Sequence, residues 1–213
     1  IPSQTEILTI IEEAIFTAQN YIRTHNDPSS ISLREVRRFI IFYKKFFEYL
    51  SQNTPSTPKD ILSKESAILS IHLCYFCRIP NHDEQKAFNE LITNIMKISF
   101  VDTIKREEEK FYQYVTIPPN IAKTNSLLRI LFAMFFCIIS KIPIFICGKP
   151  GCSKSLSFNI LYNSMQGNRS EKPFFKQYPS IIKTVYQGSL GSTSKGIIEA
   201  FERAKSKVRI ELK

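Results

Sequence analysis

The segment Ile142–Ser155, IPIFICGKPGCSKS, constrains the fold of this chain more than any other. An apolar run leads into a Gly/Pro loop that closes on Lys-Ser, and SLSFNILYNSM then reads as a helix. Strand, loop and helix in that order form a P-loop (Walker A), in which backbone amides and a helix N-terminus surround a polyphosphate. One position departs from the pattern G-x-x-x-x-G-K-[ST]. Gly148, Lys154 and Ser155 fit it, while Ser153 stands where the last Gly belongs.

A polyphosphate needs donors with no bulky side chains in the way. Gly148 lets the chain turn sharply, and Gly151 lets backbone approach phosphate closely. Pro150 stiffens the loop by fixing its own φ. Lys154 can extend to the β- and γ-phosphates as a point charge. Ser155 is spaced to ligate a Mg²⁺ that bridges them. The amides of Gly151, Cys152, Ser153, Lys154, Ser155 and Leu156 supply further donors, helped by the helix dipole. The Ser153 hydroxyl can itself donate to phosphate. The competing reading is a Gly/Pro turn whose Lys is merely exposed. The apolar run before it and the helix after it favour the phosphate loop.

Composition sets the frame. The chain has 213 residues, 43% hydrophobic and 23% charged, as expected of a globular protein with one or two cores. Its net charge of +10 permits contact with nucleic acid, but Lys and Arg come in ones and twos, such as Arg37-Arg38 and Lys44-Lys45. That dispersal argues against a nucleic-acid tract. Cys137 and Cys147 lie in apolar runs and read as buried small hydrophobes. Cys74 and Cys77, within LSIHLCYFCRI, read as core cysteines, since neither His72 nor His82 has zinc-ligand spacing to them. An odd cysteine count and no signal peptide predict a reducing, cytoplasmic setting. The most apolar window, Leu127–Cys147, is broken by Arg129, Lys141 and Pro143, so no membrane span is predicted. The chain opens at Ile1 without Met and stops at Lys213 within an expected strand, the pattern of a fragment.

Apolar spacing predicts a helix over Ile7–Ile22 and a turn over His25–Ser30. Ser32 and Glu35 form a capping box for a helix over Leu33–Leu50, whose apolar face carries Val36, Phe39, Ile40, Tyr43 and Phe47. A Pro/Ser/Thr loop follows, then helices over Lys59–Ile79, Asp83–Ile98 and Asp102–Tyr112. Pro80 stops the first of these, and Asn81 starts the next. Pro118-Pro119 marks a boundary. Beyond it helices over Ala122–Lys141, Lys154–Met165 and Thr193–Ala204 alternate with strands over Pro143–Cys147, Ser180–Tyr186 and Val208–Leu212. The predicted fold is therefore mixed: an all-α region over 1–112, then an incomplete α/β P-loop core with a parallel sheet over 113–213.

Three segments then carry a resemblance. IPPNIAKTNSLLRILFAMFFCIISKIPIFICGKPGCSKSLS, MQGNRSEKPFFK and VYQGSLGSTSKGIIEAFERAK, in that order, resemble mysterin-type giant AAA+ ubiquitin ligases. In that family a Ser also precedes the P-loop Lys, which makes Ser153 a family trait. ISLREVRRFIIFYKKFF is similar to the SLRDVxR stretch of the helical lid that closes an AAA+ module. The resemblance implies that residues 1–112 are such a lid and that the rest opens the next module. It implies ATP and Mg²⁺ as ligands, with Gly148, Pro150, Gly151, Cys152, Ser153, Lys154, Ser155 and Leu156 around the phosphates. Ile121 would then lie near the adenine, although by itself it is an apolar residue suited to core packing. Arg34 would act as a sensor-2 residue for a preceding core, or else is a surface Arg beside a helix cap. Gln187–Ser194 would line a pore or touch nucleotide, or else is a plain connecting loop.

The same resemblance implies partners: other AAA+ modules of a larger chain, and ubiquitin machinery. Hydrolysis needs an acidic Walker B pair, a sensor 1 and an arginine finger, none of which the sequence supplies, and no zinc ligase module is visible. The expected role is an ATP-binding segment of a large AAA+ mechanoenzyme, inactive alone. The alternatives are a structural nucleotide-binding scaffold and a basic helical nucleic-acid or partner-binding module.

Overall fold

Ser32 caps the start of the helix that follows it. Its amide donates to Glu35 Oε2 at 2.8 Å and its hydroxyl accepts from Arg34 N at 3.3 Å, so the expected capping box is present. The computed structural model in which this is seen describes residues 3–25, 29 and 31–211, with side chains described as far as 208. The turn expected over His25–Ser30 falls mostly outside them. The elements are α1 (Gln4–His25), α2 (Leu33–Asn53), α3 (Lys59–Cys74), α4 (His82–Met96), α5 (Phe100–Tyr114), α6 (Asn125–Ile139), α7 (Lys154–Ser164), α8 (Pro173–Lys176) and α9 (Ser194–Glu211). They divide into two compact units, Ile1–Tyr112 with Leu128–Cys147, and Gln113–Leu127 with Gly148–Lys213.

In the first unit α3 is the central helix. Every residue from Glu65 to His72 is buried, because Ser, Ala, Ile and Leu occupy all sides of it. Ser66 and Ser70 resolve their own burial by donating to the carbonyls of Leu62 and Ser66, at 2.6 and 2.7 Å. α2 lies against α3, and α1 against α3 and α4. Aromatic side chains fill the spaces between: Phe46 meets Phe136 at 4.1 Å, Phe111 meets Phe135 at 4.7 Å, and Phe76 meets Phe100 at 5.3 Å. The buried face of α2 is Glu35, Phe39, Phe42, Phe46, Tyr49 and Leu50. Of the expected face only Phe39 is fully inside, and Ile40 is exposed.

Three buried acids in this unit, Glu35, Glu65 and Glu107, are ion-paired with Arg or Lys. Glu107 accepts from Lys110 Nζ at 2.8 Å and from Arg106 Nε at 3.0 Å, and Arg106 also reaches Glu65 on α3 at 2.6 Å. Glu35 Oε1 accepts from both Arg38 and Arg78 at 3.1 Å. Burial opposes its ionisation, yet the Ser32 amide and the Arg78 guanidinium hold its carboxyl below the usual range.

In the second unit, Tyr114 stacks on Phe174 at 4.2 Å and Thr116 Oγ1 donates to Glu171 at 2.9 Å. Gly167 turns the chain after α7 at φ +58°, where an added Cβ would lie 3.2 Å from Ser180 N. Lys183 Nζ donates to Asn159 on α7 at 2.7 Å.

The expected sheet is not there. Among the described residues there is no strand, and the fold is all-α. Residues 143–147 run without a ladder partner; Phe145 is 93% exposed, so this is not the buried strand its composition suggests. Residues 180–186 make one backbone bond to α7's end, from Ile181 N to Met165 O at 3.1 Å, and no ladder. Val208 lies in α9, which has no Gly or Pro after Gly196 to stop it. A short apolar run is a strand only when a partner offers its hydrogen bonds, and that partner is not encoded locally.

Candidate functional site

The loop before α7 is shaped by two left-handed residues. Gly151 has φ +86°, with open space where a Cβ would stand, so its glycine serves the backbone and not a close neighbour. Ser153, the N-cap of α7, has φ +57° and ψ 14° and makes no side-chain cap hydrogen bond. This explains the Gly of the general pattern: the position is left-handed, and Ser tolerates it at a cost of about 1–2 kcal/mol. It also leaves the first-turn amides of α7 without a side-chain cap.

Lys154 is the first residue of α7, and its side chain folds back over the loop. Nζ donates to the carbonyls of Gly148 and Lys149, each at 2.7 Å. Gly148 is close enough that a Cβ there would sit 3.9 Å from Lys154 Nζ and 3.8 Å from Cys152 Cβ. Gly148, Pro150, Gly151, Cys152 and Ser155 are exposed, while Ser153, Lys154 and Leu156 are half-buried. The loop is thus an open cradle with one cation over it and uncapped amides at one end.

The remaining candidates stand apart from this arrangement. Ile121 is half-buried in a turn whose amide bonds Pro118 O at 3.1 Å, with no hydrogen bond to the loop among the described residues. Arg34 is engaged at its own helix cap, where Nε donates to Ser32 Oγ at 3.2 Å. The loop over 187–193 is exposed and closes on itself, Ser189 N donating to Ser192 Oγ at 2.7 Å.

The cysteines depart from expectation. Cys74 and Cys137 are buried, and burial pushes both thiols up to about 12. Cys77 and Cys147 are exposed, as is Cys152. Cys77 surfaces because α3 stops at Cys74 and a 3-10 turn, Phe76–Arg78, swings it back toward His72. The signal that would have found it is a helix end, which the unbroken apolar run around it hides. No group of three His, Cys, Asp or Glu among the described residues is arranged to hold a metal, and no helix there is long and apolar enough to cross a membrane.

Comparison with known proteins adds the family context. The profile described as RNF213 AAA domain matches residues 120–212. The human E3 ubiquitin-protein ligase RNF213 is 31% identical over 211 residues, covering 91% of this chain. The mouse protein of the same name is 26% identical over 95% of the chain, and E3 ubiquitin-protein ligase rnf213-beta of Danio rerio is 26% identical over 90%. The chain spans about 4% of the length of each of these relatives.

Proposed function

The chain belongs to the RNF213/mysterin-type family, and on that premise we propose that it is an ATP-binding segment of a large cytoplasmic AAA+ protein resembling a ubiquitin ligase. The Gly148–Ser155 loop is the proposed phosphate grip. The observation that carries this reading is the position of Lys154 Nζ, held over the loop by two carbonyls at the uncapped start of α7. On binding, the ammonium exchanges those carbonyls for phosphate oxygens, and the first-turn amides take further oxygens. A bound Mg²⁺ would neutralise phosphate charge. Ser155 is the residue to hold it, since its hydroxyl is exposed and makes no hydrogen bond among the described residues. Ile121 is proposed to face the adenine.

Residues 1–112 are proposed as a lid and 113–213 as the opening of a nucleotide-binding domain, with other AAA+ modules of the longer protein and ubiquitin machinery as partners. Bond cleavage is proposed to need groups beyond this chain. Calorimetric titration of ATP-Mg into wild type and Lys154→Ala tests the grip: a loss of tenfold or more is expected, and equal affinities would sink the assignment. Turnover by the chain alone would refute its catalytic incompleteness.

A further inference from the structure

Cys77, His72 and Glu108 form a cluster on the first unit that the nucleotide reading does not use. Cys77 Sγ lies 3.6 Å from His72 Nε2 and 3.9 Å from Nδ1. His72 is wholly enclosed, and its Nε2 faces Glu108 Oε1 at 3.6 Å. That carboxylate is 5% exposed, and Oε1 has no hydrogen-bond partner, so its charge is aimed at the imidazole without being spent elsewhere. The sulfur opens on the other side to a cavity of about 350 Å³, lined also by Arg38, Arg78, Cys74 and Cys137. Sulfur and carboxylate both approach the ring nearest at Nε2, so an exposed thiol lies beside an imidazole that a buried carboxylate also faces.

We propose that Cys77 is a modification site, a thiol oxidised by hydroperoxides to the sulfenic acid. Cys77 Sγ, in contact with the His72 ring, gives up its proton and attacks one peroxide oxygen. An S–O bond forms and the O–O bond breaks. Sulfur gives up two electrons, and the departing oxygen leaves as water or an alcohol, carrying the proton the thiol lost. His72 is a positioning residue here, and Glu108 keeps it charged. Burial disfavours the imidazolium, but Cys77 and Glu108 outweigh it and push His72 up to about 9. Cys74 and Cys137, buried and protonated, are spectators in the same cavity.

Two other exposed cysteines, Cys147 and Cys152, give the test its internal references. The full chain is pulsed with hydrogen peroxide at pH 7, sulfenic acid is trapped with dimedone, and each site is quantified by mass spectrometry. Cys77 is expected to be trapped at least tenfold faster than Cys147 and Cys152. A Cys77 rate equal to theirs overturns the proposal. In His72→Asn and Glu108→Gln the Cys77 rate is expected to fall to the reference level. If either variant fails to fold, the wild-type ranking still decides. A purely structural His72–Glu108 pair leaves the Cys77 rate unmoved in Glu108→Gln, which also overturns it.

Discussion

Lys154 Nζ donates at 2.7 Å to the carbonyl oxygen of Gly148, six residues back in the chain, so the loop holds its own cation. The two carbonyls it bonds belong to exposed residues that water can satisfy. Lys154→Met should therefore change folding stability by only about 0.5 kcal/mol. A variant that melts with wild type yet loses ATP-Mg affinity separates a ligand role from a structural one. A large drop in melting temperature would assign Lys154 to the fold instead.

Ser153 should be improvable. With φ at +57° and no cap hydrogen bond to lose, Ser153→Gly removes the left-handed cost of a side chain. Gly loses more entropy on folding, so the net gain is at most about 1 kcal/mol. Urea denaturation of the pair measures it. A destabilised glycine variant would mean that the Ser side chain contributes more than its backbone costs.

Glu35 should matter more than any surface acid. It serves the capping box of α2 and accepts from Arg38 and Arg78 while 4% exposed. Both arginines keep a third or more of their side-chain surface in water, so removing the acid leaves no fully buried cation. Glu35→Ala should cost about 2 kcal/mol, below the range for a fully buried pair. Its carboxyl lies below the ordinary 4.5 in the folded protein, so the stabilisation is complete above that value and fades as pH falls through the lowered one. Acid unfolding curves of wild type and variant should converge at low pH.

His72 should give the opposite slope. Cys77 from the 3-10 turn and Glu108 from α5 face it, and together they lift it from 6.5 to about 9 against the effect of burial. A raised value means that the folded state holds the proton more tightly. The contribution is full below 6.5 and lost as pH rises through about 9. Urea midpoints measured across that window should decline in wild type and stay flatter in Glu108→Gln. An identical decline in both would remove Glu108 from the cause.

Local rules were readable from the chain. The Ser32–Glu35 box and the Asn81 cap, which accepts from Asp83 N at 2.9 Å, follow from residues a few positions apart. The face of α2 was not readable, because FIIFYKKFFEYL is apolar most of the way around and only its partners choose the buried side. The three strand expectations failed for the same reason at larger range: pairing is non-local, and 143–147 and 180–186 belong to different units. At the loop, Gly148, Gly151 and Lys154 were legible as a motif, and Ser153 as a mismatch; its left-handed backbone gave the mismatch a physical meaning. Cys77 was misplaced because one helix end at Tyr75 decides whether it faces in or out.

The charge cluster of α5 has a mechanical side. Advancing a helix by one residue shifts it about 1.5 Å and turns its side chains by about 100°. Such a slip would drag Arg106 off Glu65 and turn the 1%-exposed Glu107 out of its buried position. The Arg106–Glu65 ion pair therefore forms in only one register of α5 against α3. The pair thus reports the register of the two helices, and a slip of either would show first as its loss.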